Sequence, residues 1–97
     1  VQGMTTIPNH PFPLEYPATI AKPHPVGDGM LYQFEFPNGY GASVVRFSGS
    51  YGNQHGLWEF AVRHHGGLCY STAITDNVIG YLSEAAVAAL VERVRLL

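Results

Sequence analysis

Ninety-seven residues make one domain, long enough to bury a modest core and too short for a second. Hydrophobic residues make up 46% of the chain and charged residues 12%, about half the charged share usual in soluble proteins, so much of the surface must be neutral and inclined to contact partners. The net charge is -2, and the five bases, Lys22, Arg46, Arg63, Arg93 and Arg95, are scattered along the chain; phosphate-backbone binding draws on clustered positive charge, so nucleic acid is not an expected partner.

At the start of the chain, Val1 to Gly3 ahead of Met4 read as the remnant of a protease-cleaved tag, with the natural chain expected to start at Met4. Six of the seven prolines then fall between residues 5 and 29. Each removes a backbone donor and fixes φ, which rules out a helix or a central strand and predicts an extended arm over 1–29. The arm carries Ile7, Phe12, Leu14, Tyr16 and Ile20, apolar groups that a solvated linker does not need, so it is expected to pack along the domain formed by 30–97.

Gly27 to Gly29 mark a turn before the first strong strand, "MLYQFEF" at 30–36. There Met30, Tyr32, Phe34 and Phe36 share one face while Leu31, Gln33 and Glu35 take the other. Pro37, Asn38 and Gly39 fit, in that order, the two central positions of a type I turn and the left-handed bulge position after it. They predict a three-residue hairpin loop. The second strand, 40–47, has the β-branched and aromatic bulk of Val44, Val45 and Phe47 but no decisive facing, and Gly41 suggests a bulge.

A polar, glycine-rich loop follows at 48–56, then a strand at 57–65 in which Trp58, Phe60, Val62 and His64 alternate. The next connection admits two registers. A two-residue turn at Gly66 and Gly67 puts Cys69, Ser71 and Ala73 with the Trp58 row. A three-residue loop, His65 to Gly67, puts Leu68, Tyr70, Thr72 and Ile74 there instead, and is expected because it gathers the apolar groups on one face. Residues 75–77 read as a turn or the cap of a short helical piece through Leu82. Ser83 reads as the N-cap of a terminal helix from Glu84 to about Leu96, with Val87, Leu90, Val91 and Val94 as its apolar stripe. The expected fold is α+β: a four-stranded antiparallel sheet of two hairpins with one C-terminal helix packed on one face, preceded by the extended arm.

The lone Cys69 forms no intrachain disulfide and builds no cysteine-rich zinc site, which fits a reducing compartment. With no apolar run near ~18 residues and no signal-peptide pattern at the start, neither a membrane partner nor export is expected, and the location read from the sequence is cytoplasmic. The five histidines, His10, His24, His55, His64 and His65, match no spaced metal motif. His64 and His65, as strand neighbours, should point apart, so neither a metal nor another cofactor is expected. A Cys69 and His64 dyad is the sharpest catalytic arrangement, but the expected register sets the two on opposite faces. Glu35 and Glu59 sit alone in strands and Asp28 and Asp76 in turns, and no GxSxG elbow occurs. No catalytic residue is assigned.

The candidate binding surface is the loop 48–56, through Tyr51, Asn53, Gln54 and His55. Its mixture of a tyrosine with small and amide side chains suits recognition, and equally suits an ordinary long hairpin connection. The segments "FPNGYGASVV", "GLWEFAV" and "YSTAITDNVIGYLSEAAVAALVERV" together resemble small uncharacterised proteins encoded by actinobacteria and by phages. The resemblance spans about residues 30–97 and implies a phage or mobile-element accessory protein that acts on a host protein; it carries over no functional residue. The expected function is thus a non-enzymatic protein-binding module, with self-association as a further expectation. Two alternatives stand beside it: a small metal- or His/Cys-dependent enzyme using His55, His64, His65, Cys69 or Asp76, and a structural component of a phage particle.

Overall fold

The computed structural model describes residues 9–25, 28–50, 52–75 and 77–97. The reading of Val1 to Gly3, and those of Ile7, Gly27, Tyr51 and Asp76, lie outside the described residues. The fold is α+β, with an antiparallel sheet and one C-terminal helix. The strands are β1 (Ile20–Pro23), β2 (Gly29–Glu35), β3 (Tyr40–Phe47), β4 (Trp58–His64), β5 (Gly67–Cys69) and β6 (Ile79–Leu82), and the helix is α1 (Glu84–Arg95). Strands β1 to β5 lie side by side in chain order. Strand β6 joins β5 along the free edge of β4, one at each end.

Six strands, not the expected four, are present among the described residues. One of the two additions lies inside the proline-rich arm. Strand β1 pairs Ile20 with Gln33 and Pro23 with Met30; an edge strand uses only the donors on its paired side, so a proline at its end is tolerated there. The other is β6, where a turn or helical piece was expected. Ile79 pairs with Phe60 and Leu82 with Trp58 across a register shift, and this pairing with β4 overrides the weak local preference of the segment.

The first hairpin forms as its residues dictate. The Gly39 N–H donates to Phe36 O at 3.1 Å, Phe36 and Tyr40 close the loop, and Gly39 has φ +87°, the left-handed value a three-residue loop requires. No bulge occurs at Gly41, which stays in register with Glu35 and Arg63. The second hairpin departs from the expected register. His64 pairs with Gly67 and Val62 with Cys69, leaving His65 and Gly66 as a two-residue turn with φ of +52° and +85°. Positive φ at both central residues defines the turn whose twist suits adjacent antiparallel strands, and histidine is among the residues that tolerate it. Cys69 therefore shares the face of Val62, and Leu68 is left 53% exposed. Ile74 still packs on the core because the strand has ended before it.

One face of the sheet is closed by two layers at once. Tyr32, Phe34, Ala42, Val44, Trp58, Phe60 and Val62 form its buried floor. Helix α1 sets Val87, Val91 and Val94 on it, all fully buried, a burial worth about 1.5–3 kcal/mol for each side chain. Ser83 caps the helix by accepting from the Ala86 N–H at 3.2 Å, as its sequence position indicates. Beside the helix the arm buries Phe12, Leu14 and Ala18, so it packs along the domain as expected. Its shape is held locally. Asn9 exchanges two hydrogen bonds with Ala18, and the His10 ring donates from Nε2 to Tyr16 O (2.8 Å) while its Nδ1 accepts from the Phe12 N–H (3.1 Å).

The Tyr16 hydroxyl donates to Glu92, which is also held by Arg95 in a bidentate pair. Burial, and then the hydrogen bond to Glu92 and its charge, push the Tyr16 phenol well above its usual range. Because the folded value is raised, the contribution of this contact is fully present below the unfolded phenol value of about 10 and fades as pH rises through the folded value. Tyr16→Phe is expected to cost about 1 kcal/mol at neutral pH and to flatten the loss of stability above pH ~10. Urea melts at pH 7 and pH 11 measure both; equal alkaline loss in the two proteins would remove Tyr16 from that role.

Candidate functional site

The loop between β3 and β4 is built by its own short-range bonds. Phe47 and Ser50 exchange hydrogen bonds through the serine hydroxyl and backbone, the Ser48 N–H donates to Asp28 Oδ1 at 3.2 Å, and Gly52 O accepts from both His55 and Leu57. These contacts wind Asn53 to His55 into one 3-10 turn. Arg46 pins the far end. Its guanidinium lies 4.5 Å from the centre of the Trp58 ring and donates from Nη1 to Gly56 O at 3.0 Å, so a charge at the edge of the core fixes a surface loop.

Against this loop stands Tyr81 of β6. Its backbone has φ +58° and the residue is 61% exposed. A left-handed conformation costs an aromatic residue about 1–2 kcal/mol. Gly52, with φ +92°, lies directly on it: a Cβ there would come within 2.9 Å of Tyr81 Cα. The result is a cleft of about 180 Å³ lined by Ser48, Ser50, Gly52, Gln54, His55 and Tyr81, with the His55 and Tyr81 rings 6.4 Å apart. The side chains on its wall are hydrogen-bonding or aromatic, with no carboxylate, lysine or arginine among them, a composition shared with recognition surfaces.

Of the residues expected to bind, Gln54 and His55 line this cleft. Asn53 sits in the same turn, half-buried, and uses its carbonyl to accept from the Gly56 N–H. Tyr81 was missed. Its signal in the sequence is an aromatic between Gly80 and the Leu82-Ser83 lead into the helix cap, a place where neither strand nor helix periodicity asks for a buried ring.

Among the described residues, the groups of the enzymatic alternative fall at two separate ends of β4. His55 lies beyond the Trp58 end of β4, and His64 and His65 lie at its other end. Cys69 does share a face with His64, contrary to the expected register, but its Sγ is 3.5 Å from Ser71 Oγ, and that hydrogen bond holds the thiol below its usual pKa. Glu35 is paired with Arg63 at 3.2 Å and is separated from Glu59 by the whole of β3. Among the described residues no group of three or more His, Cys, Asp or Glu is placed to hold a metal ion, and no helix is long and apolar enough to cross a membrane.

A more voluminous crevice, about 430 Å³, runs between the arm and α1 past Leu14, Tyr16, Glu92 and Arg95. Tyr16, Glu92 and Arg95 there are already spent on one another, which makes this crevice a packing seam. The 3-10 loop and Tyr81 are therefore the better candidate. No protein-family model, curated protein or solved structure matches the chain.

Proposed function

We propose that the chain is a non-enzymatic binding module that grips a protein partner through the cleft between the 3-10 loop and Tyr81. The observation that carries the reading is Tyr81 itself. A tyrosine is held in a conformation that glycine would adopt freely, and its ring is presented to solvent beside the Gln54 amide and the His55 imidazole. Tyrosine gives contact area at low entropic cost, and a wall without carboxylate, lysine or arginine avoids desolvating such charges on binding. The resemblance to phage- and actinobacterium-encoded proteins extends this reading to an accessory role directed at a host protein.

Strain and function should separate in one substitution. Tyr81→Gly removes the ring and relieves the left-handed strain, so thermal stability is expected to hold or rise by up to about 1 kcal/mol. Retention of a partner from actinobacterial lysate, read by quantitative mass spectrometry, should fall at least tenfold, and His55→Ala should weaken the same partner. A partner retained equally by wild type and both variants would end this assignment.

A further inference from the structure

The geometry points to a second site at the opposite end of β4, a two-histidine chelate for a divalent late-transition-metal ion formed by His64 and His65. Neighbouring side chains on a strand diverge, and these two were expected to do so. They do not, because His65 has left the strand. As the first residue of the two-residue turn it has φ +52°, which swings its ring back until the two imidazole centroids are 3.9 Å apart with 40° between the planes. Asparagine, aspartate and glycine are the residues such a turn favours at that position. Histidine is tolerated there but is not among the three most favoured.

The surroundings hold the pair and leave it chemically unspent. Tyr40, opposite His64 on β3, stacks on its outer face at 4.1 Å and 16°. The His65 N–H donates to Gly39 O at 3.2 Å, tying the turn to the neighbouring hairpin loop. Among the described residues the contacts of the two rings are with aromatic faces, Tyr40 and each other, whereas both nitrogens of His10 are engaged in hydrogen bonds. Above Gly39 the two rings border one point. A Cβ at that glycine would lie 3.8 Å from His64 Nε2 and 3.8 Å from His65 Nδ1.

An ion bound by two imidazoles at about 2.0–2.1 Å needs its nitrogens about 3 Å apart. The rings, 3.9 Å between centroids, must open by side-chain rotation to aim their in-plane lone pairs at one ion, which the exposure of His65 and the half-exposure of His64 allow. Neutral imidazole suits nickel, copper and zinc, and of these copper(II) binds nitrogen sites most tightly. With no third protein ligand among the described residues, the remaining positions go to water, and the ion is exchangeable.

Copper(II) titrated into the full chain at neutral pH, followed by calorimetry and electron paramagnetic resonance, tests the site. One ion per chain with coupling to two imidazole nitrogens is expected. His65→Asn keeps a residue at home in the turn, so it should leave metal-free melting unchanged while weakening binding by roughly a hundredfold through loss of the chelate. His64→Gln, a change on the strand and not in the turn, should show the same loss, whereas His24→Gln with His55→Gln should leave affinity intact. Unchanged affinity in His65→Asn or His64→Gln, or coupling to a single imidazole, would overturn the proposal.

Discussion

Asn38→Asp is expected to destabilise the domain by about 2 kcal/mol at neutral pH, roughly 10 °C in melting temperature for a chain of this length. In Asn38→Gly the loss should be nearer 1 kcal/mol. The reason lies at the far end of the chain. The Asn38 side-chain amide is 3.0 Å from Val94 O, 3.2 Å from Arg95 O and 3.1 Å from Leu97 O, so it donates to the last two carbonyls of α1 and to that of Leu97 beyond it, sharing Val94 O with the Leu97 N–H. Its Oδ1 meanwhile accepts from the Tyr40 N–H at 2.9 Å. Aspartate can keep that internal bond and the turn, but it sets a carboxylate against carbonyl oxygens at the negative end of the helix dipole. Such a carboxylate titrates above the usual range in the folded state. Its penalty is therefore fully developed above the folded pKa and disappears below the unfolded value near 4. Urea melts of the three proteins at pH 7 and pH 4 measure this. A cost in Asn38→Asp that does not shrink at pH 4 would mean that the loop, and not the helix end, is what the change disturbs. The bend "FPNG" is thus more than a bend: it joins the first hairpin to the last turn of the helix.

That clamp shows where reading the chain succeeds and where it stops. The β2 alternation, the loop of Pro37, Asn38 and Gly39, and the Ser83 cap with the valine stripe of α1 are set by residues within a few positions of one another, and each formed as its pattern indicated. The helix contact of Asn38 spans 56 positions to Val94, and nothing local announces it. Strand β1 hid among prolines because an edge needs only half its donors. Strand β6 and the β4–β5 register were missed for a shared reason: each contains a non-glycine residue at positive φ, Tyr81 or His65, and alternation rules fail where the backbone turns left-handed. Both exceptions bear on proposed sites. The loop 48–56 was legible as a candidate surface from its composition, but the wall that completes it comes from β6, a partner only the tertiary fold supplies.

Trp58→Ala should be among the most damaging single changes in the protein, and Trp58→Phe one of the mildest at a fully buried aromatic. Trp58 is 2% exposed and joins four parts of the fold. Its ring meets Phe12 of the arm at 4.9 Å and Tyr32 of β2 at 5.7 Å, it lies under the Arg46 guanidinium, and it pairs with Leu82 of β6. Truncation to alanine removes the contact surface common to all four and leaves a cavity, a loss of about 3–5 kcal/mol from a total that for such domains is about 5–15 kcal/mol. Phenylalanine keeps most of the ring. It also removes the indole N–H, which is buried with no hydrogen-bond partner among the described residues and whose desolvation costs about 1–3 kcal/mol. The lost ring volume and the relieved donor oppose each other, so Trp58→Phe is expected within about 1 kcal/mol of wild type. Denaturant melts followed by circular dichroism decide it; equal, large losses in both variants would show that the indole N–H is satisfied and that its bond matters. The pair also separates core from cleft. Arg46 reaches Gly56 from above the Trp58 ring, and a phenyl face attracts a guanidinium less strongly than an indole. Trp58→Phe should accordingly leave the core intact while loosening the 3-10 loop, faster amide exchange at residues 53–57 being the sign that the loop is held through this cation and not by its own turn bonds alone.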